Sequence, residues 1–160
     1  MKNILVTPFD TAPFSQIKTT DYELAFDTAI SDAKQEIQQI IDNVETPSFE
    51  NTIETMAFSG MQLDRISNIF FNLNSAETNE ELQKIAQVVA PKLSAFGNDI
   101  TLNPELFARV KAVYDSVDRN ILTTEQKTLL DKSYKGFVRN GALLNEEDKE
   151  KLRAIDTQLS

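Results

Sequence analysis

Apolar residues recur along most of this chain in steps of three and four, the spacing that lines one face of an α-helix. The first such row runs through Tyr22, Phe26, Ala29, Ile30, Ala33, Ile37, Ile40 and Ile41, with Thr20 and Glu23 at capping-box spacing ahead of it. Proline pushes the residue before it out of the helical region, so Pro47 is predicted to close that helix within 43–47. A second row, Ile53, Met56, Gly60, Leu63, Ile66, Phe70 and Leu73, predicts one continuous helix capped by Ser48. Gly60 falls on its apolar face, where glycine costs about 1 kcal/mol relative to alanine. Close approach of a neighbouring helix is the expected reason for it.

Thr78 and Glu81 predict the next start, ahead of Leu82, Ile85, Val89, Leu93, Phe96 and Ile100. The row passes Pro91 in phase, which predicts one kinked helix rather than two. Asn103-Pro104-Glu105 combines a capping amide, a proline whose missing N–H does no harm and an acid near the positive helix end. Leu106, Phe107, Val110, Val113, Tyr114 and Val117 follow as the fourth face. Thr123 with Gln126 opens a fifth helix through Leu129, Leu130, Tyr134, Phe137 and Val138, and Asn140-Gly141 ends it. The sixth starts at Asn145, carries Glu146, Glu147 and Asp148 in its first turn, and has Leu152, Ile155 and Leu159 as its row. Neither a capping glycine nor a breaker precedes Ser160, so the helical pattern is expected to continue in a longer chain.

The expected fold class is all-α: a single multi-helix domain of about six amphipathic helices over 20–160, truncated at its C-terminal end, behind an extended N-terminal arm over 1–19. Pro8 and Pro13 stand among Phe9 and Phe14 in that arm, which suits an extended segment pinned by aromatic side chains. Only four Gly and five Pro are spread over 160 residues, too few for the many tight turns of an all-β protein.

Charge and two missing residue types then narrow the function. Lys and Arg number 16 against 25 Asp and Glu, a net charge of −9. Such a surface repels phosphate, so neither a nucleic acid nor a membrane is expected as partner. There is no Cys and no His. Disulfides, thiolate metal sites and imidazole-based hydrolysis are therefore outside the reach of these residues. Ile4-Leu5-Val6 is far shorter than the core of a signal peptide and no segment is long enough to span a membrane, so the expected compartment is the cytoplasm.

A set of strings in order carries a resemblance. Pro47-Ser48-Phe49-Glu50-Asn51-Thr52-Ile53 is the densest, followed by Ser59-Gly60, Leu63-Asp64-Arg65, Phe70-Phe71-Asn72-Leu73 with Ser75-Ala76, and Thr78-Asn79-Glu80-Glu81-Leu82-Gln83. Asn98-Asp99-Ile100-Thr101-Leu102-Asn103, Leu106-Phe107-Ala108-Arg109-Val110 and Phe137-Val138-Arg139-Asn140-Gly141-Ala142 continue it. Together they resemble the N-terminal segment of the thimet oligopeptidase family of zinc metallopeptidases, in its peptidyl-dipeptidase branch. Asp21 departs from the pattern, since related sequences often carry a histidine there.

The resemblance implies a larger enzyme that binds zinc through a His-Glu-x-x-His helix and a downstream glutamate, and that releases dipeptides from the C-termini of short peptides. The present segment would be its non-catalytic scaffold and channel wall, with the C-terminal catalytic part of the same polypeptide as partner. Zinc is expected in the full-length parent and no cofactor in this segment. No catalytic, cofactor-binding or metal residue is expected within 1–160.

Three groups of residues invite sharper readings. Lys132, Lys135 and Arg139 share a side of the fifth helix and have the charge to meet a peptide carboxylate, although a solvated face explains them more simply. Phe49, Phe70 and Phe71 have the character of channel lining, but aromatics on a helical row are usually core; of the adjacent pair, Phe71 is expected at the surface. Glu50, Glu54 and Asp64 have the carboxylates of a di-metal bundle without the histidines such bundles use. Beside the peptidase reading stands a free-standing acidic helical module that takes a partner helix or peptide in an apolar groove.

Overall fold

The first apolar row forms α1, Tyr22–Ile41, in a computed structural model that describes residues 3–160. Its entry differs from the Thr20–Glu23 capping box expected from sequence. A 3-10 turn at Thr19–Asp21 leads into it, and the Asp21 carboxylate accepts the Lys18 N–H at 2.8 Å. At 1.5 Å per residue α1 is roughly 30 Å long. Tyr22, Ala25, Phe26, Ala29 and Ala33 lie in one hydrophobic cluster, whereas Ile37 and Ile40 lie in a second.

The second row does not make one helix. Phe49–Glu54 is a π-helical stretch, continued by the short α2, Thr55–Phe58, and α3 begins afresh at Met61 and runs to Ala76. Ser48 caps the start, its hydroxyl accepting the Asn51 N–H while the Asn51 side chain accepts the Ser48 N–H. The break comes at Gly60, whose φ of 74° lies in the left-handed region that glycine alone enters freely. Its N–H donates to Glu36 Oε2 of α1 at 2.7 Å. Gly60 is therefore a turn residue and not a contact point within a helix: a Cβ there would meet Ala33 at an ordinary 3.9 Å.

α4, Glu80–Thr101, passes through Pro91 as one helix, as its periodicity predicts. Its cap lies one residue later than expected. Asn79 Oδ1 accepts the Leu82 N–H at 2.9 Å, while the Thr78 hydroxyl donates back to Asn74 Oδ1. Asn79→Ala is expected to cost about 1 kcal/mol in urea unfolding, whereas Thr78→Ala, which removes no capping bond, should stay within about 0.5 kcal/mol. Equal losses for the two variants would return the cap to Thr78.

α5 (Pro104–Ser116), α6 (Thr124–Arg139) and α7 (Glu146–Leu159) start where the sequence places them. Asn103 Oδ1 accepts from Glu105 and Leu106, Thr123 and Gln126 form a reciprocal box, and Asn145 accepts from Asp148. Gly141 closes α6 with φ 95°. The domain is all-α, with six helices of 13 to 22 residues and no strand among the described residues. No helix among those residues is long and apolar enough to cross a membrane.

Ion pairs and side-chain contacts set the directions. Asp27 pairs with Lys92 and Lys34 with Asp99, so α1 and α4 run parallel. α3 runs against α1, with Phe70 beside Tyr22 and Phe26 at one end and Gln62 bonded to Asp32 at the other. α5 and α6 pack antiparallel through Phe107 with Phe137 and Tyr114 with Tyr134, ring centroids 5.8 and 4.0 Å apart. The first cluster thus joins α1, α3 and α4, and the second joins the end of α1, the π-helical stretch, α5 and α6.

The N-terminal segment comprises 3-10 turns at Ile4–Val6 and Phe14–Gln16 separated by an irregular stretch with bends at Thr7, Asp10 and Thr11; Met1 and Lys2 lie outside the described residues. Its anchor is not Phe14, which is 56% exposed, but Leu5, which is fully buried in the first cluster. Phe9 lies under the Arg65 guanidinium, 4.5 Å from its ring centroid, and Arg65 also donates to Leu5 O at 3.2 Å.

Candidate functional site

The parallel alignment of α1 and α4 leaves an open groove of about 610 Å³ at their N-terminal ends, lined by Thr19, Thr20, Glu23, Leu24, Asp27, Glu81, Lys84 and Ile85. Glu23, Asp27 and Glu81 bring three carboxylates to it, Lys84 an ammonium, and Leu24 and Ile85 aliphatic surface, and Asp27 is paired with Lys92. Thr19 and Thr20 bring hydroxyls to the same groove, and neither imidazole nor thiol occurs in the chain.

The cation row of α6 is brought together as expected. Lys132, Lys135 and Arg139 are all exposed, and none enters an ion pair among the described residues. They line none of the five grooves found among the described residues. That arrangement is a solvated face.

The aromatic candidates divide as their adjacency predicts. Phe70 is fully buried and Phe49 nearly so, whereas Phe71 is 36% exposed. Phe71 still leans on the core, its ring centroid 5.0 Å from that of Phe70. Glu50, Glu54 and Asp64 are exposed and separate. Among the described residues no group of three or more acidic side chains is close enough to hold a metal ion.

The structure also shows what two arginines do that their spacing did not reveal. Arg109 donates from α5 to Asn43 O at 2.6 Å and to Asn51 Oδ1 at 3.4 Å, closing the turn between α1 and the π-helical stretch. Arg65 ties the N-terminal turns to α3 in the same manner. A backbone carbonyl as acceptor leaves no mark in sequence, so neither role was readable there. Tyr22 is the buried hydroxyl of the first cluster; burial first, and then the Asp21 carboxylate, push its pKa up, which favours the neutral phenol.

No family model matches the chain. Its sequence is 37% identical over 151 residues to the dipeptidyl carboxypeptidase of Salmonella typhimurium, a match that covers 94% of this chain and 22% of that protein. The dipeptidyl carboxypeptidase of Escherichia coli matches to the same extent. Oligopeptidase A of Escherichia coli is 26% identical over 160 residues, covering all of this chain and 24% of the relative. The chain therefore spans about a fifth of the length of the curated dipeptidyl carboxypeptidases it matches.

Proposed function

We propose that this chain, which belongs with the dipeptidyl carboxypeptidases of the thimet oligopeptidase family, is the N-terminal helical scaffold and part of the channel wall of a zinc-dependent peptidyl-dipeptidase. The whole enzyme would release dipeptides from the C-termini of short peptides in the cytoplasm. The observation that carries this reading is the coverage: 94% of the chain aligns at 37% identity, yet the alignment accounts for 22% of the relative. A match of that kind describes one part of a larger protein.

The residues present do not fit a catalytic zinc site. Such a site draws its ligands mainly from His, Cys and carboxylates, and this chain has no His and no Cys. Among the described residues no three of its acidic side chains are placed to hold a metal ion together. Zinc, the activated water and the general base belong on this reading to the catalytic remainder of the same polypeptide, which is the segment's partner.

What the chain contributes is shape. Two hydrophobic clusters hold five of the six long helices together, with α7 set against the ends of α4 and α6, and the acidic surface disfavours nucleic acids and anionic membranes. A wall of this kind, facing a second helical half, admits short peptides and excludes folded proteins.

Purified 1–160 is expected to bind no stoichiometric zinc and to cleave no peptide, as measured by metal analysis and mass spectrometry of a dipeptide-release assay. Reproducible chelator-sensitive cleavage by this segment alone overturns the non-catalytic role. The intact gene product is expected to be several times longer and to contain a His-Glu-x-x-His helix. A product ending at Ser160 would leave a free-standing acidic helical module instead.

A further inference from the structure

We infer that the outer face of α7, with Ile155 and Leu159 on the helix and Leu143 and Leu144 at its foot, is the docking seam for an amphipathic helix from the remainder of the polypeptide. The inference rests on the reading above that the chain is one part of a longer peptidase. α7 is unusual among the six long helices in what it buries. Its only buried side chain is Lys149, at 4% exposure, while Ile155 and Leu159 of its apolar row are exposed.

That row is a seam that begins inside the domain and runs out. It starts around Gly141, where a Cβ would lie 2.9 Å from Leu144 Cδ1, 3.0 Å from Leu152 Cδ2 and 3.3 Å from Leu102 Cδ2. Leu152 is thus held against the end of α6 and of α4. One turn further, Ile155 is 51% exposed, and one turn beyond that Leu159 is 81% exposed. Leu143 and Leu144, just ahead of α7, are exposed as well, and Leu144 meets Leu152 at Gly141. The three α7 residues fall at steps of three and four, so a single straight helix can cover them all.

Apart from Asp156, the charged side chains of α7 are already paired. Lys149 meets Glu146, Lys151 meets Glu147 and Asp148, and Arg153 meets Glu150 and, on α4, Asp99. What remains unmet is aliphatic surface, and its complement is a row of Leu, Ile, Val or Met at helical spacing. Length identifies the occupant. The matched region is 22% of the Salmonella relative, so most of such a polypeptide lies elsewhere. A segment joined after Leu159 is held beside the seam at an effective concentration of order millimolar. A second copy is a poorer candidate, because four aliphatic side chains fall well short of the ~1,200 Å² that a stable dimer buries.

The test uses the double variant Ile155→Gln, Leu159→Gln, which keeps helix propensity and removes the aliphatic row. In 1–160 the variant should melt within about 2 °C of wild type and sediment as a monomer, because nothing covers the seam there. In the full-length peptidase the same pair should raise hydrogen exchange across α7 by about tenfold or more and lower the melting temperature by several degrees. Mass measurement of the intact gene product separates the two ways of failing. If the product ends at Ser160, the longer-enzyme reading falls and takes this inference with it. If the product is longer and the variant leaves α7 exchange unchanged, the docking seam alone is overturned. If wild-type 1–160 dimerises and the variant abolishes the dimer, the occupant is a second copy and the inference is likewise overturned.

Discussion

Phe70→Ala is expected to melt roughly 10 °C below the wild-type chain in a circular-dichroism scan, the largest loss from any single truncation of the first cluster. Phe70 is fully buried on α3, and three other rings surround it: Tyr22 at 4.9 Å, Phe71 at 5.0 Å and Phe26 at 5.5 Å between centroids. Removing it leaves a void that rings on two rigid helices cannot close. Truncating a buried phenylalanine costs about 3–5 kcal/mol, and a domain of this size loses about 2–4 °C per kcal/mol. Phe71→Ala supplies the contrast. The residue is 36% exposed and touches the core by one edge, so its loss should stay near 1 kcal/mol. Similar shifts for the two variants would mean that the ring cluster does not hold α3 to α1.

Gly141→Val is the second large effect, expected at roughly 2–4 kcal/mol in urea unfolding. Two costs combine. At φ 95° the backbone is in a region that a β-branched residue enters only under strain, about 1–2 kcal/mol. A Cβ would also sit 2.9 to 3.3 Å from Leu144, Leu152 and Leu102, the side chains that join the ends of α4 and α6 to α7. Gly60→Ala shares only the first cost, because a Cβ there has Ala33 at 3.9 Å, and about 1 kcal/mol is expected. Equal losses at the two glycines would show that the conformation alone, and not the packing of α7, depends on Gly141.

These two positions mark how far the fold was legible from residues alone. Helix starts at Ser48, Asn103, Thr123 and Asn145 were readable because a capping side chain acts on its own next turn, within three residues. Gly141 was readable because it follows the last apolar residue of a row. Gly60 was not. The apolar row stays nearly in phase across it, and the reason for the turn, the Glu36 carboxylate receiving its N–H, lies on another helix. The shift of a cap from Thr78 to Asn79 has the same character: both side chains are competent, and Asn74 on the preceding helix engages the threonine.

The surface was less legible than the core. Leu152, Ile155 and Leu159 form a regular apolar row, and periodicity alone assigns such a row to the interior. The structure places two of the three in solvent and a lysine inside. Periodicity reports that a face must be covered but not by which polypeptide. Leu5 is the converse case, a single aliphatic residue in a short run that no period distinguishes, fully buried because α1 and α3 leave room for it. Residue counts, by contrast, establish one chemical point directly: imidazole and thiol chemistry require residues the chain does not contain.

α1 supplies Tyr22 through Ala33 to one cluster and Ile37 with Ile40 to the other, so neither cluster is complete without it. The two lobes consequently share a backbone beam that neither can surrender. Any attempt to carve the chain into smaller autonomous pieces must either sever that beam or strand one lobe's aliphatic wall in water, which makes the segment an indivisible inheritance: it is gained or lost by a polypeptide as a whole.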